Sequence, residues 1–179
     1  PIRFLVQAMS GVPSIVAGLF ILSAILYPIT KSFSGFMGAL ALTILMIPTI
    51  ARTSEEVLNL IPNDLREAGV ALGGTQWRTV AMIVLPAAKS GLITAVILGV
   101  ARIAGETAPL LLLTGGGDKV NANAFSGPLG SLPYYIWKSF NAGSPEALTR
   151  AWAGLLVLVG LVLVLFTVAR YLGSKKSSK

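Results

Sequence analysis

No cysteine and no histidine occur in the 179 residues. The first absence excludes disulfides and thiolate metal sites, and the second excludes imidazole ligands and histidine-based catalytic triads. The usual parts of an enzyme are missing, so no catalytic residue, metal or cofactor is assigned. Charge is scarce too: 12% of residues are charged, against about 25% in ordinary globular domains. With 54% hydrophobic residues and a mean hydropathy of +0.79, the chain reads as an integral membrane protein. Strand-like alternation is absent, which argues against a β-barrel. Gly115-Gly116-Gly117-Asp118-Lys119 is not a phosphate loop, because Val120 stands where that motif needs serine or threonine.

What is present is a set of long apolar runs. A hydrocarbon core of about 30 Å needs roughly 17–25 apolar residues per helix. Four segments are candidates: about Ser10–Tyr27, Gly35–Ala51, Gly91–Leu113 and Trp152–Tyr171. The second contains Pro48 and the third contains Arg102 and Glu106. Neither feature removes a span, since proline is tolerated in membrane helices and intramembrane charges can face protein or water. The expected fold is an all-α polytopic helix bundle, with a polar loop over about 52–88 and a second connection over 114–150.

The first of these loops carries turn and capping signals. Asp64 and Glu67 are spaced to cap a short helix running to Leu72. Gly73-Gly74 ends it, Thr75 starts a second helix to about Val84, and Pro86 blocks continuation into the next span. Two short helices meeting at a glycine corner form a compact knob with Arg66, Glu67 and Arg78 near its surface. The readings left open are a docking knob for a partner and an ordinary capped connection.

Orientation follows from lysine and arginine. With this loop in the cytoplasm, that side holds Arg3, Arg52, Arg66, Arg78, Lys89, Arg170, Lys175, Lys176 and Lys179, against Lys31, Lys119, Lys138 and Arg150 opposite. Both chain ends are then cytoplasmic. The net charge of +7 needs no nucleic acid to explain it. Lys175–Lys179 reads as a solvated stop-transfer end. The connection from Thr114 to Arg150 is long enough to hold a short helix around Leu132–Phe140, with Tyr134, Tyr135 and Trp137 as an interfacial aromatic belt, a reading favoured over a partner-docking surface and compatible with one.

The third span holds the remaining chemistry. Gly91, Ala95 and Gly99 recur every four residues as a close-packing stripe, with Arg102 and Glu106 continuing nearly the same face. An arginine within a membrane helix costs about 2.5–3.5 kcal/mol even on lenient insertion scales. Its planar guanidinium pairs with phosphate or carboxylate oxygens. Either Arg102 and Glu106 neutralise each other as a structural clip, or Arg102 meets an anion and Glu106 tunes it. Thr107 and Pro109 follow, so a kink there brings a hydroxyl close to the pair.

Several runs together resemble a known family. Glu67-Ala68-Gly69, Gly73, Ile83 and Leu85-Pro86 are spaced like the EAA loop of ABC importer permeases, with Gly69 where the pattern has alanine, a mild change between small residues. Val12-Pro13-Ser14-Ile15-Val16-Ala17-Gly18-Leu19-Phe20, Ala101-Arg102-Ile103-Ala104-Gly105-Glu106-Thr107-Ala108-Pro109-Leu110-Leu111 and Ala151-Trp152-Ala153-Gly154 resemble the phosphate-importer permeases, PstA-type rather than PstC-type. The resemblance implies a type I importer (MetI-like) permease in the bacterial plasma (inner) membrane that carries inorganic phosphate and leaves ATP hydrolysis to another chain. It implies a PstC-like permease subunit, a PstB-like ATPase dimer and a PstS-like phosphate-binding protein as partners. Arg66, Glu67, Ala68, Gly69 and Gly73 would couple to the ATPase, and Arg102, Glu106 and Thr107 would line the translocation path. Six helices are usual in this family and the chain opens on Pro1, so two upstream helices are expected to precede it. The alternatives are a permease for another oxyanion such as sulfate or molybdate, a secondary transporter with Glu106 relaying protons, and a structural scaffold.

Overall fold

The computed structural model describes residues 1–117, 119 and 121–174. Asp118, Val120 and the Lys175–Lys179 tail, read above as a stop-transfer end, lie outside the described residues. Eight helices cover most of the rest: α1 (Ile2–Ser10), α2 (Ser14–Thr30), α3 (Gly35–Asn59), α4 (Asn63–Ala71), α5 (Gln76–Ile103), α6 (Ala108–Leu113), α7 (Leu132–Phe140) and α8 (Pro145–Ser174). Three of these are long and apolar enough to cross a membrane: α3, α5 and the part of α8 over Pro145–Val168. The pair α1 and α2 reaches that length only together, across a bend of 103°. Pro13 makes the bend: its extended conformation (φ −60°, ψ 141°) caps α2 and ends the run from α1. The first apolar segment therefore starts at Ser14 rather than Ser10, and a separate amphipathic helix precedes it.

The other boundaries differ for identifiable reasons. Helix α3 continues past Ala51 to Asn59 and takes in Arg52–Glu56, with Pro48 buried inside it. Helix α5 begins at Gln76 instead of Gly91, running straight through Pro86. A π-helical stretch over Val80–Val84 precedes that proline. Its widened turns give the ring room, which an ordinary helix lacks. The polar loop over 52–88 thus shrinks to α4 and its flanking turns. At the other end, α5 stops at Ile103 and α6 starts at Ala108, so the expected span 91–113 is a broken one. Helix α8 extends the expected 152–171 in both directions and takes the last residues of the 114–150 connection. Helix α7 occupies Leu132–Phe140, where Ser131 Oγ accepts from Tyr134 N at 3.4 Å as its cap.

Packing is organised by small residues. The expected Gly91/Ala95/Gly99 stripe of α5 lies against α3: Ala95 is fully buried, Gly91 faces Val57, and Gly99 faces Ile50 and Met46. Such contacts let two backbones approach closely where lipid supplies no hydrophobic drive. Short α6 is clamped in the same way, with Gly18 of α2 against Pro109 and Gly38 of α3 against Leu110 and Thr114. Ile21, Leu26, Met37, Ala41 and Leu113 form the core where α2, α3 and α6 meet. Helix α8 packs on α5 and α7, with the Phe140 and Trp152 rings edge to face at 5.5 Å. The glycine run 115–117 is a tight return: Gly115 and Gly116 have positive φ, and a Cβ on Gly116 would overlap the Tyr134 ring.

Candidate functional site

Two separate groups of residues stand out, one at each end of the α3–α5 contact. The first is the corner between α4 and α5. Helix α4 starts after Pro62, with Asp64 in its first turn rather than at its cap, and Glu67 makes no capping bond back to it. The proline supplies the entry geometry, and the Asp64 charge still suits the positive helix end. Gly73 at φ +82° turns the chain, its N–H donates to Val70 O at 2.9 Å, and Gly74 N–H donates to Gly69 O at 3.1 Å. Thr75 Oγ1 then accepts from Arg78 N at 3.4 Å and starts α5.

The expected corner residues play different parts. Arg66 is half-buried, not a surface group: its Nη2 donates at 2.8 Å to the Leu58 carbonyl in the last turn of α3. It ties the corner to the end of that span. Glu67 and Ala68 are exposed, while Gly69 is buried. A groove of about 650 Å³ is lined by Arg66, Glu67, Val70, Gln76 and Thr79 among others. Beside it Leu72 is 87% exposed and Trp77 78% exposed, with Met82 open nearby. These large apolar groups stand exposed on the same corner as Glu67.

Gly69 is less replaceable than its size suggests. A Cβ there would overlap Thr79 Cγ2 and come within 2.9 Å of Ile83 Cδ1. The alanine of the general motif is therefore disfavoured in this chain, because buried Thr79 fills its space. Gly69→Ala is expected to lower stability by about 1–3 kcal/mol, the usual cost of overpacking. Adding Thr79→Ala should recover most of that loss. Thermal unfolding of the detergent-solubilised protein checks both, and an equal loss in single and double variants would refute the contact.

The second group surrounds the break between α5 and α6. Arg102, at the end of α5, donates from Nη1 to Thr49 Oγ1 of α3 at 3.0 Å. The clip with Glu106 does not form. Among the described residues the ion pair is that of Arg3 with Glu55, which joins α1 to α3. The reason is that α5 ends at Ile103, so Glu106 no longer follows Arg102 at helical spacing; its N–H closes a tight turn onto Ile103 O at 3.1 Å. Gly105 is exposed with open space around it, and Thr107 precedes α6 without a side-chain cap bond. From Gly35 to Thr49 the rise is roughly 21 Å at about 1.5 Å per residue, within the thickness of a bilayer core of about 30 Å. Non-helical backbone at such depth persists only where it is packed in protein or lines a water-filled cavity. An exposed arginine, a glutamate and a threonine thus flank one break between α5 and α6.

Sequence reasoning missed Thr49, Thr79 and the Arg3–Glu55 pair. Thr49 follows Pro48 in a run whose other polar residue is Thr43, and a hydroxyl in a span facing that of an intramembrane arginine was the available signal.

A bundle of this kind, with a glycine corner projecting from its end and a broken charged span within it, is the architecture of a transport-system membrane component. Residues 1–178 match the family described as binding-protein-dependent transport system inner membrane component, and the chain belongs to that family. It is similar to the phosphate transport system permease protein PstA 1 of Mycobacterium tuberculosis (strain CDC 1551 / Oshkosh), at 40% identity over 89% of this chain and 52% of that protein. It is likewise similar to the phosphate transport system permease protein PstA of Haemophilus influenzae, at 43% identity over 92% of this chain and 58% of that one. The chain thus spans somewhat over half the length of these relatives. Among solved structures, an inward-facing MetNI methionine ABC transporter chain matches with a TM-score of 0.70 at 20% identity, covering 96% of this chain and 70% of that one. That likeness supports the MetI-like permease fold expected from the sequence.

Proposed function

We propose that the chain is part of the permease subunit of an ATP-driven phosphate importer in the bacterial plasma membrane, with ATP hydrolysis on partner chains. The observation that carries this reading is Arg102: an exposed guanidinium held at a helix break within the bundle, in a chain similar to PstA permeases. A guanidinium whose charge is not cancelled by Glu106 presents donors suited to a tetrahedral oxyanion. Glu106 and Thr107 flank the same break and line the path with it. The close-packed α3–α5 face is the seam across which the bundle shifts between its two access states.

The α4–α5 corner is the coupling element. Glu67, Ala68 and the turn at Gly73 present to a PstB-like ATPase dimer, with Gly69 and Arg66 holding the corner's shape from behind. A PstC-like permease subunit completes the translocation pore, and a PstS-like binding protein delivers phosphate from outside. The corner and both chain ends are cytoplasmic, as the lysine and arginine distribution favours.

The test is uptake of labelled phosphate into proteoliposomes carrying the assembled complex with internal ATP. Phosphate should accumulate and a tenfold excess of sulfate or molybdate should not compete; effective competition would reassign the substrate to another oxyanion. In the same assay Glu67→Ala should lower uptake roughly tenfold, the effect of about 1.4 kcal/mol lost at a docking contact. Glu67 is exposed and bonds to nothing else among the described residues, so folding should be unaffected. Uptake driven by a proton gradient and indifferent to Glu67→Ala would point to a secondary transporter instead.

A further inference from the structure

We propose that Thr49 is the positioning residue of the transport site, orienting Arg102 toward the oxyanion without cancelling its charge. The inference rests on the phosphate-path reading above.

The first observation is a contrast among threonines. Thr43, Thr94, Thr114, Thr149 and Thr167 each donate their hydroxyl to the carbonyl four residues back, at 2.7–3.0 Å. This is the ordinary way a threonine satisfies itself in a helix. Thr49, like Thr53 of α3 and Thr79 of α5, makes no such bond among the described residues, but it alone of these three has another partner there. Its Oγ1 instead accepts from Arg102 Nη1, across the α3–α5 interface and 53 residues away in sequence.

The second observation is what this partner is. Arginine has five N–H donors and a long flexible stem. Here one bond to a side chain on a packed helix fixes its direction, and the remaining donors carry no other bond among the described residues. A carboxylate in the same place would hold the arginine too, but it would compete with an incoming anion. A neutral hydroxyl orients the fork and leaves its full charge for the ligand.

The third observation is how the two residues meet. Gly99, one turn before Arg102, lies against Ile50 and Met46, on either side of Thr49 in sequence. The close approach made by that glycine brings the arginine within reach of the threonine. Pro48, directly before Thr49, is buried in the same stretch of α3.

The experiment compares Thr49→Val, Thr49→Ser and Arg102→Gln in the full-length permease, assembled with its partner permease, ATPase and binding protein in proteoliposomes. The quantity read is phosphate moved per ATP hydrolysed, alongside complex yield. Thr49→Val keeps the branched shape and removes the hydroxyl. It should lower the ratio roughly tenfold, the scale of one hydrogen bond to a charged group, with yield and ATP hydrolysis unchanged. Thr49→Ser should restore it. If Arg102→Gln abolishes uptake while Thr49→Val leaves the ratio intact, the positioning role is refuted and the phosphate path survives. If Thr49→Val and Thr49→Ser both reduce yield and ATP hydrolysis together, Thr49 is a packing residue and the proposal is equally overturned. If Arg102→Gln transports normally, the path through Arg102 fails, and the role of Thr49 fails with it.

Discussion

Arg102→Gln is expected to abolish phosphate uptake while leaving assembly and ATP hydrolysis in place. Glutamine keeps a long polar side chain and good helix propensity, so α5 should form as before. Its amide nitrogen ends where the arginine Nε lies, two bonds short of Nη1, so the bond to Thr49 that Arg102 makes is lost. What disappears with it is the positive charge and the fork. A hydrogen bond to a charged group is worth about 1.5–3 kcal/mol, and the fork offers an oxyanion more than one. The transported anion should therefore lose a hundredfold or more of its uptake rate. Arg102→Lys should fall between, since an ammonium keeps the charge but not the planar geometry. Uptake of labelled phosphate, measured with ATP hydrolysis on the same proteoliposomes, separates this from a general failure of the complex. Normal uptake by Arg102→Gln would make the arginine structural and leave the substrate without a physical argument in this chain.

The pattern of what could be read in advance has a physical basis. Helix α7 was legible because the 114–150 connection is too long to lack structure, and the helix found there has Ser131 as its cap and Pro133 in its first turn. The Gly91/Ala95/Gly99 stripe was legible because three small residues at helical spacing point one way, although their partner helix is a tertiary fact. The corner was legible at Gly73, where the turn demands positive φ, but not at Asp64, because Pro62 had already taken the entry position. Pro86 misled because its ring blocks an ordinary helix, whereas the π-helical turns before it accommodate the ring. The pairing of Arg102 with Glu106 assumed an unbroken helix. The break after Ile103 moved Glu106 away and left Arg102 to Thr49, a residue no periodicity marks. Gly69 looked interchangeable with alanine because its reason lies ten residues on, in the methyl group of Thr79.

Gly99→Leu should damage both the bundle and its transport site. A Cβ at this position would lie 2.6 Å from Ile50 Cγ1, 3.0 Å from Ile50 Cδ1 and 3.3 Å from Met46 Cγ, and a leucine adds three more carbons beyond it. Helices with large side chains at their contact settle about 8–10 Å apart, whereas small residues permit closer approach. The leucine must therefore push α5 from α3 along their main contact. Overpacking usually costs about 1–3 kcal/mol, and here the displacement also pulls Arg102 away from Thr49, so stability and transport should fail together. Gly160→Leu is the matched control, because nothing lies within 4 Å of a Cβ there. It should express, assemble and transport like the parent. A graded series should follow the same geometry: Gly99→Ala impaired, Gly99→Leu worse, and Gly99→Ala combined with Ile50→Ala recovered. Detergent-phase thermal unfolding and phosphate uptake measured on each variant test the series. If Gly99→Leu and Gly160→Leu behaved alike, the close α3–α5 contact would not be what holds the bundle, and the placement of Arg102 beside Thr49 would lose its structural cause.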